Sequence, residues 1–152
     1  MRVTFPRLPD HEPAYAVVER DDGVVYRLYG GRAGPALPHD IRHLVTERAL
    51  GIDDGIWGGI AAGVPRAQDR HTRHADMLED LVERVAALED PSAERIRSLP
   101  LALSLKATRA DPEAVIRAAR ALRVEAARWA RLRVGESLSY EWPAPVPRPR
   151  AG

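Results

Sequence analysis

Strand-forming segments lie at both ends of this chain, and helix-forming segments fill the middle. Four segments are predicted as strands: 2–8, 14–20, 24–29 and 137–142. The second and third flank Asp22-Gly23, a dipeptide typical of two-residue hairpin turns, and the fourth alternates Leu138, Tyr140 and Trp142 with polar residues. Because a lone hairpin leaves a bare edge, the C-terminal strand is expected to join it. The predicted fold is α+β, with a small antiparallel sheet covered on one face by helices.

The hairpin turn also predicts a register. A two-residue turn at Asp22-Gly23 places Glu19 opposite Tyr26 and Val17 opposite Leu28. That register turns one set of residues towards the core: Tyr15, Val17, Val24, Tyr26 and Leu28.

About four or five helices are expected between the third and fourth strands. The first runs from Pro38 to about Leu50 before Gly51, and a short second one, capped by Asp53 or Asp54, runs to Ala62. The later helices are predicted at 68–88, after Asp90-Pro91, and at 111–132 after the cap Asp111-Pro112. The segment 101–105 suits a strand and a helix equally.

Length and composition restrict the classes of protein. The chain has 152 residues, which fit a single domain at 1–142 followed by a proline-rich tail at 143–152 that we expect to be disordered and dispensable. It has no cysteine, which excludes disulfides and thiol nucleophiles. No apolar leader or membrane-length apolar run is present, so a soluble, cytoplasmic protein is expected. A net charge of +1 argues against nucleic acid as a partner.

One constellation of residues can carry chemistry, and it lies in the first helix. His39-Asp40-x-x-His43 places two imidazoles at i and i+4 on one helix face, with Glu47 one turn further on. Histidines at this spacing can share a divalent ion, zinc above all. The spacing is that of the zincin motif H-E-x-x-H, with Asp40 in the place of the glutamate that serves as general base.

Helix geometry limits the number of ligands that this helix supplies. His39 and Glu47 are eight residues apart, or roughly 12 Å along the axis, so one ion takes either His39 and His43 or His43 and Glu47. Further ligands must come from another segment, and His71 and His74 are the remaining histidine pair. The sequence therefore predicts a metal site of His39, His43, Glu47, His71 and His74. Asp40 is the candidate catalytic residue of a metal-dependent hydrolase.

Two other interpretations stay open. The polar face that contains the two histidines is also typical of a solvated helix surface without a metal. A non-catalytic interaction module is the second alternative, because helix 71–88 carries a heptad-like apolar stripe that can pair with a partner protein or a second copy. Under either interpretation, the expected partner is an unknown small molecule or another protein.

The stretch L-P-H-D-I-R-H-L-V-T-E at 37–47, continued by D-D-G-I-W-G at 53–58, resembles an uncharacterised family of small bacterial proteins from GC-rich genomes. These proteins carry an L-P-H-D-x-x-H-x-x-x-E helix. The order of strand, hairpin and helix and the ending S-L-S-Y-E-W-P at 137–143 fit the same family. The resemblance covers most of the chain and implies that this helix is a recurrent feature, but it implies no activity.

Overall fold

The computed structural model describes residues 1–64, 73–100 and 110–143. Four strands and five helices lie within these ranges. The strands are β1 (Arg2–Pro6), β2 (Pro13–Glu19), β3 (Val25–Arg32) and β4 (Ser137–Glu141). The helices are α1 (His39–Leu50), α2 (Ile56–Ala61), α3 (Arg73–Ala86), α4 (Ala93–Ser98) and α5 (Pro112–Arg131).

The strands form one antiparallel sheet in the order β3-β2-β1-β4. β4 pairs with β1 from Arg2 opposite Glu141 to Pro6 opposite Ser137, so the C-terminal strand covers one edge of the N-terminal sheet. The helices lie on one face of this sheet, and the α+β prediction is confirmed.

The predicted register of the β2–β3 hairpin is wrong by one residue. Val18, not Glu19, lies opposite Tyr26, and Ala16 lies opposite Leu28. The turn contains three residues, because the Arg20 N–H donates to the carbonyl oxygen of Val24 at 2.9 Å, and Gly23 ends the turn at φ +85°. A shift of one residue turns the other face of β2 inwards, so Ala16 and Val18 are buried instead of Tyr15 and Val17.

The core lies between the sheet and three helices that contact one another, α1, α3 and α5. The sheet contributes Val3, Phe5, Ala16, Val18, Leu138 and Tyr140, and the helices contribute Ile41, Leu44, Trp57, Leu81, Val85 and Val115. Burial of these side chains is the main source of stability, at roughly 1.5–3 kcal/mol for each large one.

Two helix ends agree with the prediction from the sequence, and a third differs from it. Gly51 ends α1 in the left-handed region at φ +68°, and the Asp111 side chain caps α5 by accepting the Glu113 N–H, both as predicted. The cap of α4 is Ser92 instead of Asp90, since its hydroxyl accepts the Arg95 N–H at 3.1 Å.

Several predictions lie outside the described residues: the segment 101–105, the start of the helix predicted at 68–88, and the tail after residue 143. Within the described ranges, no helix is both long and apolar enough to cross a membrane.

Candidate metal centre

The polar face of α1 points into the protein. His43 and Glu47 are each 2 % exposed, and Thr46 is also buried. His39 stands at the first turn of the helix, with 52 % of its side chain exposed. The expectation of a solvated polar face is therefore wrong, because α2 and α3 lie against this side of α1. Burying polar groups costs free energy unless they have polar partners. The partners of these side chains therefore account for their burial.

Three side chains bring potential ligand atoms together: His39 and His43 of α1 and Glu79 of α3. The Nε2 atoms of the two histidines are 3.2 Å apart. Oε2 of Glu79 is 3.5 Å from Nε2 of His39 and forms a hydrogen-bonded ion pair with Nε2 of His43. This group can hold a metal ion.

Two of the three separations between these atoms compare well with tetrahedral coordination. Zinc bonds of about 2.05 Å to nitrogen or oxygen place neighbouring tetrahedral ligands about 3.3 Å apart. The separations of 3.2 and 3.5 Å bracket that value. The third separation, between Nε2 of His43 and Oε2 of Glu79, is shorter because these two atoms form a hydrogen-bonded ion pair. An ion coordinated by all three atoms would require the Glu79 carboxylate to move away from Nε2 of His43.

Each histidine also has a carboxylate near its other ring nitrogen. Nδ1 of His39 lies 3.5 Å from Oδ1 of Asp40, and Nδ1 of His43 lies 3.9 Å from Oε1 of Glu47. Metal-binding histidines commonly have a carboxylate at the nitrogen that does not bind the ion, which orients the ring and makes it a better ligand. Both rings therefore present Nε2 towards Glu79 and Nδ1 towards an acid.

The electrostatics of the site suit a cation. Burial by itself would lower the pKa of His43, but the hydrogen bond and negative charge of Glu79 outweigh it and raise the pKa. Burial would likewise raise the pKa of Glu79, and the hydrogen bond from His43 reverses this and lowers it. The pair thus favours a protonated imidazole beside an ionised carboxylate. A divalent ion can take the place of that proton.

Glu47 has a second set of partners that the sequence did not reveal. Its two carboxylate oxygens accept the backbone N–H groups of Ile56 and Trp57, each at 2.9 Å, and so cap the start of α2. The predicted caps Asp53 and Asp54 are not the residues in this position, and Gly55 at the cap provides no side chain. A Cβ at Gly55 would lie 2.4 Å from the Glu47 carboxyl carbon, so glycine is needed for this close approach.

Arg42 borders the site on the α3 side. Its guanidinium pairs with Glu83, and its Nε lies 3.9 Å from Oε1 of Glu79. The Arg42 Nε atom is buried without a hydrogen-bond partner among the described residues. Oε1 of Glu79 is therefore turned towards a cation, while Oε2 is turned towards the histidines.

On the other side, His39 and Asp40 face a cavity of about 270 Å³ between α1, the end of β3 and α5. The Asp40 carboxylate lies against the backbone of Gly30, where a Cβ would come within 2.4 Å of its Oδ2 atom. Among the described residues, no hydrogen-bond donor contacts the Asp40 carboxylate, and its ionic neighbour is His39. Asp40 is thus an ionisable group available to the cavity.

Comparison with protein-family models, curated proteins and solved structures finds no match for this chain. Its function is therefore inferred from the geometry of the site.

The structure brings His39 and His43 together, as predicted from their spacing, and adds Glu79, which the sequence analysis missed. Glu79 lies beside Leu78 and one turn before Val82, within the buried arc of α3. An acidic residue among the apolar positions of a helix was the feature of the sequence that could have identified Glu79. His71 lies outside the described residues, and only the backbone placement of His74, in the first turn of α3, is described. Their predicted role as ligands stays a prediction.

Proposed function

We propose that this protein binds a divalent metal ion, most favourably zinc, through His39, His43 and Glu79, and that it is a metal-dependent hydrolase. The observation that carries the proposal is the convergence of two imidazole nitrogens and one carboxylate oxygen at 3.2 and 3.5 Å. Two histidines and one glutamate are a common ligand set of catalytic zinc ions, which keep the fourth position for water or substrate.

The number of ligands and the exposure of His39 support a catalytic site over a closed structural one. Zinc sites with a purely structural role use four protein ligands, whereas three converge among the described residues. His39 is half exposed and lines the cavity, so the remaining position is expected on that side.

Asp40 is the proposed general base. Its carboxylate lies at the Nδ1 edge of His39 and faces the same cavity, where it would take a proton from a water that a bound zinc ion would make more acidic. Such a water would attack the carbonyl carbon of an ester or amide while Asp40 accepted its proton. The proton then passes to the leaving oxygen or nitrogen, and the carboxylate is regenerated.

Metal binding is tested by elemental analysis and zinc titration of the untagged chain after treatment with a chelator. We expect about one zinc per chain. His43→Ala and Glu79→Gln are expected to lose it, since each removes a ligand atom. Asp80→Asn, an exposed acid on the same helix, is the matched control and is expected to retain it. Equal zinc retention by all three variants would refute the proposed site.

Hydrolysis is tested on the zinc-loaded chain with a panel of small chromogenic esters and amides. Asp40→Asn is expected to keep its zinc and to lower turnover by about 10²–10⁴-fold, the usual contribution of a general base. Full turnover by Asp40→Asn would remove Asp40 from the mechanism. A zinc-loaded chain that is inactive on the whole panel would contradict the hydrolase assignment.

A further inference from the structure

The cavity beside His39 is lined by aromatic and charged residues. The aromatic residues Phe5 and Trp129 line it, with Arg32 as a cationic residue and His39 and Asp40 as polar residues next to the candidate metal centre. Small-molecule pockets are mostly apolar with a few polar groups that orient the ligand, and they span about 300–1,000 Å³ for drug-sized ligands. At about 270 Å³, this cavity accommodates a single ring with one substituent.

The walls are held in place by the fold. Phe5 packs edge-on against Trp57 and Tyr140, with ring centroids 5.9 Å apart in each pair. The Trp129 indole N–H donates to the carbonyl oxygen of Gly34 at 3.2 Å. These contacts fix both rings without a ligand, so the ordering cost of binding is small.

Arg32 gives the cavity a preference for negatively charged ligands. Its Nη1 donates to the carbonyl oxygen of His11 at 2.8 Å, and the other N–H groups of the guanidinium are left for a ligand. Among the described residues, no carboxylate lies within ion-pair distance of Arg32. Arg32 is two residues beyond Gly30, the backbone that Asp40 touches, which separates the two positions by at most about 7 Å along the strand. Arg32 and Asp40 thus line the same cavity from neighbouring positions of the fold.

We propose that this cavity is a substrate pocket for small monocyclic carboxylates. The ring lies beside Phe5 and Trp129, and the carboxylate pairs with Arg32 in a charge-assisted, two-point contact. The reacting bond of such a molecule then faces His39 and Asp40. This inference rests on the proposed function for its chemistry, although binding of the ring and the carboxylate needs no metal.

Binding is measured on the full chain in EDTA by ligand-observed NMR, with benzoate as the probe. Benzyl alcohol has the ring without the charge, and acetate has the charge without the ring. Benzoate is expected to bind at least about tenfold more tightly than either, because it alone engages both the rings and the guanidinium. Nuclear Overhauser effects from benzoate to the Trp129 indole are expected to place it in the cavity.

Arg32→Gln is expected to weaken benzoate binding at least about tenfold and to leave benzyl alcohol unchanged. The matched control is Arg120→Gln, an exposed arginine of α5 that does not line the cavity. Ala14→Phe, which adds a ring to the cavity lining, is expected to block both ligands.

Equal affinity of the wild-type chain for benzoate and benzyl alcohol would overturn the proposal, as would tight benzoate binding by Arg32→Gln. Nuclear Overhauser effects from benzoate to residues elsewhere on the protein would overturn the proposed location. This measurement uses the wild-type chain, so it stands even if Ala14→Phe does not fold. A chain that binds zinc without benzoate refutes this pocket alone. A chain that binds benzoate without zinc refutes the metal centre and leaves the pocket.

Discussion

Replacing Glu47 with glutamine should make the free energy of unfolding respond differently to pH. The Glu47 carboxylate is 2 % exposed and accepts two backbone hydrogen bonds at the start of α2. Burial raises its pKa from 4.5 to about 6, although the hydrogen bonds from Trp57 and Ile56 oppose this increase. Glutamine has nearly the shape of the protonated acid and does not titrate.

The sign and the size follow from that pKa. The folded chain holds the Glu47 proton more tightly than the unfolded chain, so this proton stabilises the fold fully below pH 4.5. The stabilisation is lost as the pH rises through about 6. A pKa difference from 4.5 to about 6 corresponds to about 2 kcal/mol. Relative to wild type, Glu47→Gln should therefore gain about 2 kcal/mol between about pH 4 and pH 8.

The assay is urea unfolding followed by tryptophan fluorescence at several pH values, with EDTA present so that no metal contributes. His43 also titrates, and because the charge of Glu47 helps to raise the pKa of His43, the difference between the two proteins includes a smaller contribution from His43. Glu89→Gln, at an exposed position, is the control and should change the free energy by less than about 0.5 kcal/mol at any pH. A difference between Glu47→Gln and wild type that is constant with pH would refute the reasoning.

Other predictions concern three further features of the molecule. The Tyr140 hydroxyl donates to the buried carboxylate of Glu125 at 2.6 Å, so Tyr140→Phe should lower the free energy of unfolding by about 1–3 kcal/mol in urea titrations. A Cβ at Gly58 would lie 2.0 Å from the carbonyl oxygen of Asp53, so Gly58→Ala should lower the melting temperature strongly. Gly59→Ala in the same helix meets nothing within 4 Å and should stabilise by up to about 1 kcal/mol, which makes it the matched control. Zinc at 100 times its dissociation constant should stabilise the chain by about 2.7 kcal/mol, reversibly with EDTA, and no shift in melting temperature would contradict a specific site.

Features that depend on neighbours in the sequence were predictable. The left-handed end of α1 at Gly51 and the cap of α5 at Asp111 follow from the conformational preferences of single residues. The alternation of Leu138 and Tyr140 identified β4, and the i, i+4 spacing of His39 and His43 brought their Nε2 atoms together. These features arise within one or two turns of the chain.

The hairpin register was harder to predict because two registers differ by a single residue in the turn. Both the two-residue and the three-residue turn are compatible with Gly23, and each buries one plausible face of β2. Packing against the helices favours the face with the smaller pair, Ala16 and Val18.

The sequence by itself determined the α+β class, the end of α1, the cap of α5 and the pairing of two histidines on one face of α1. Only the tertiary structure decided that this face is buried, that Glu79 from α3 completes the group of ligand atoms, and that Glu47 caps α2. The physical reason is that the burial of a polar side chain depends on which other segment supplies its partner. Such partners here are 9 to 40 residues away along the chain, beyond the reach of local propensity and helical periodicity.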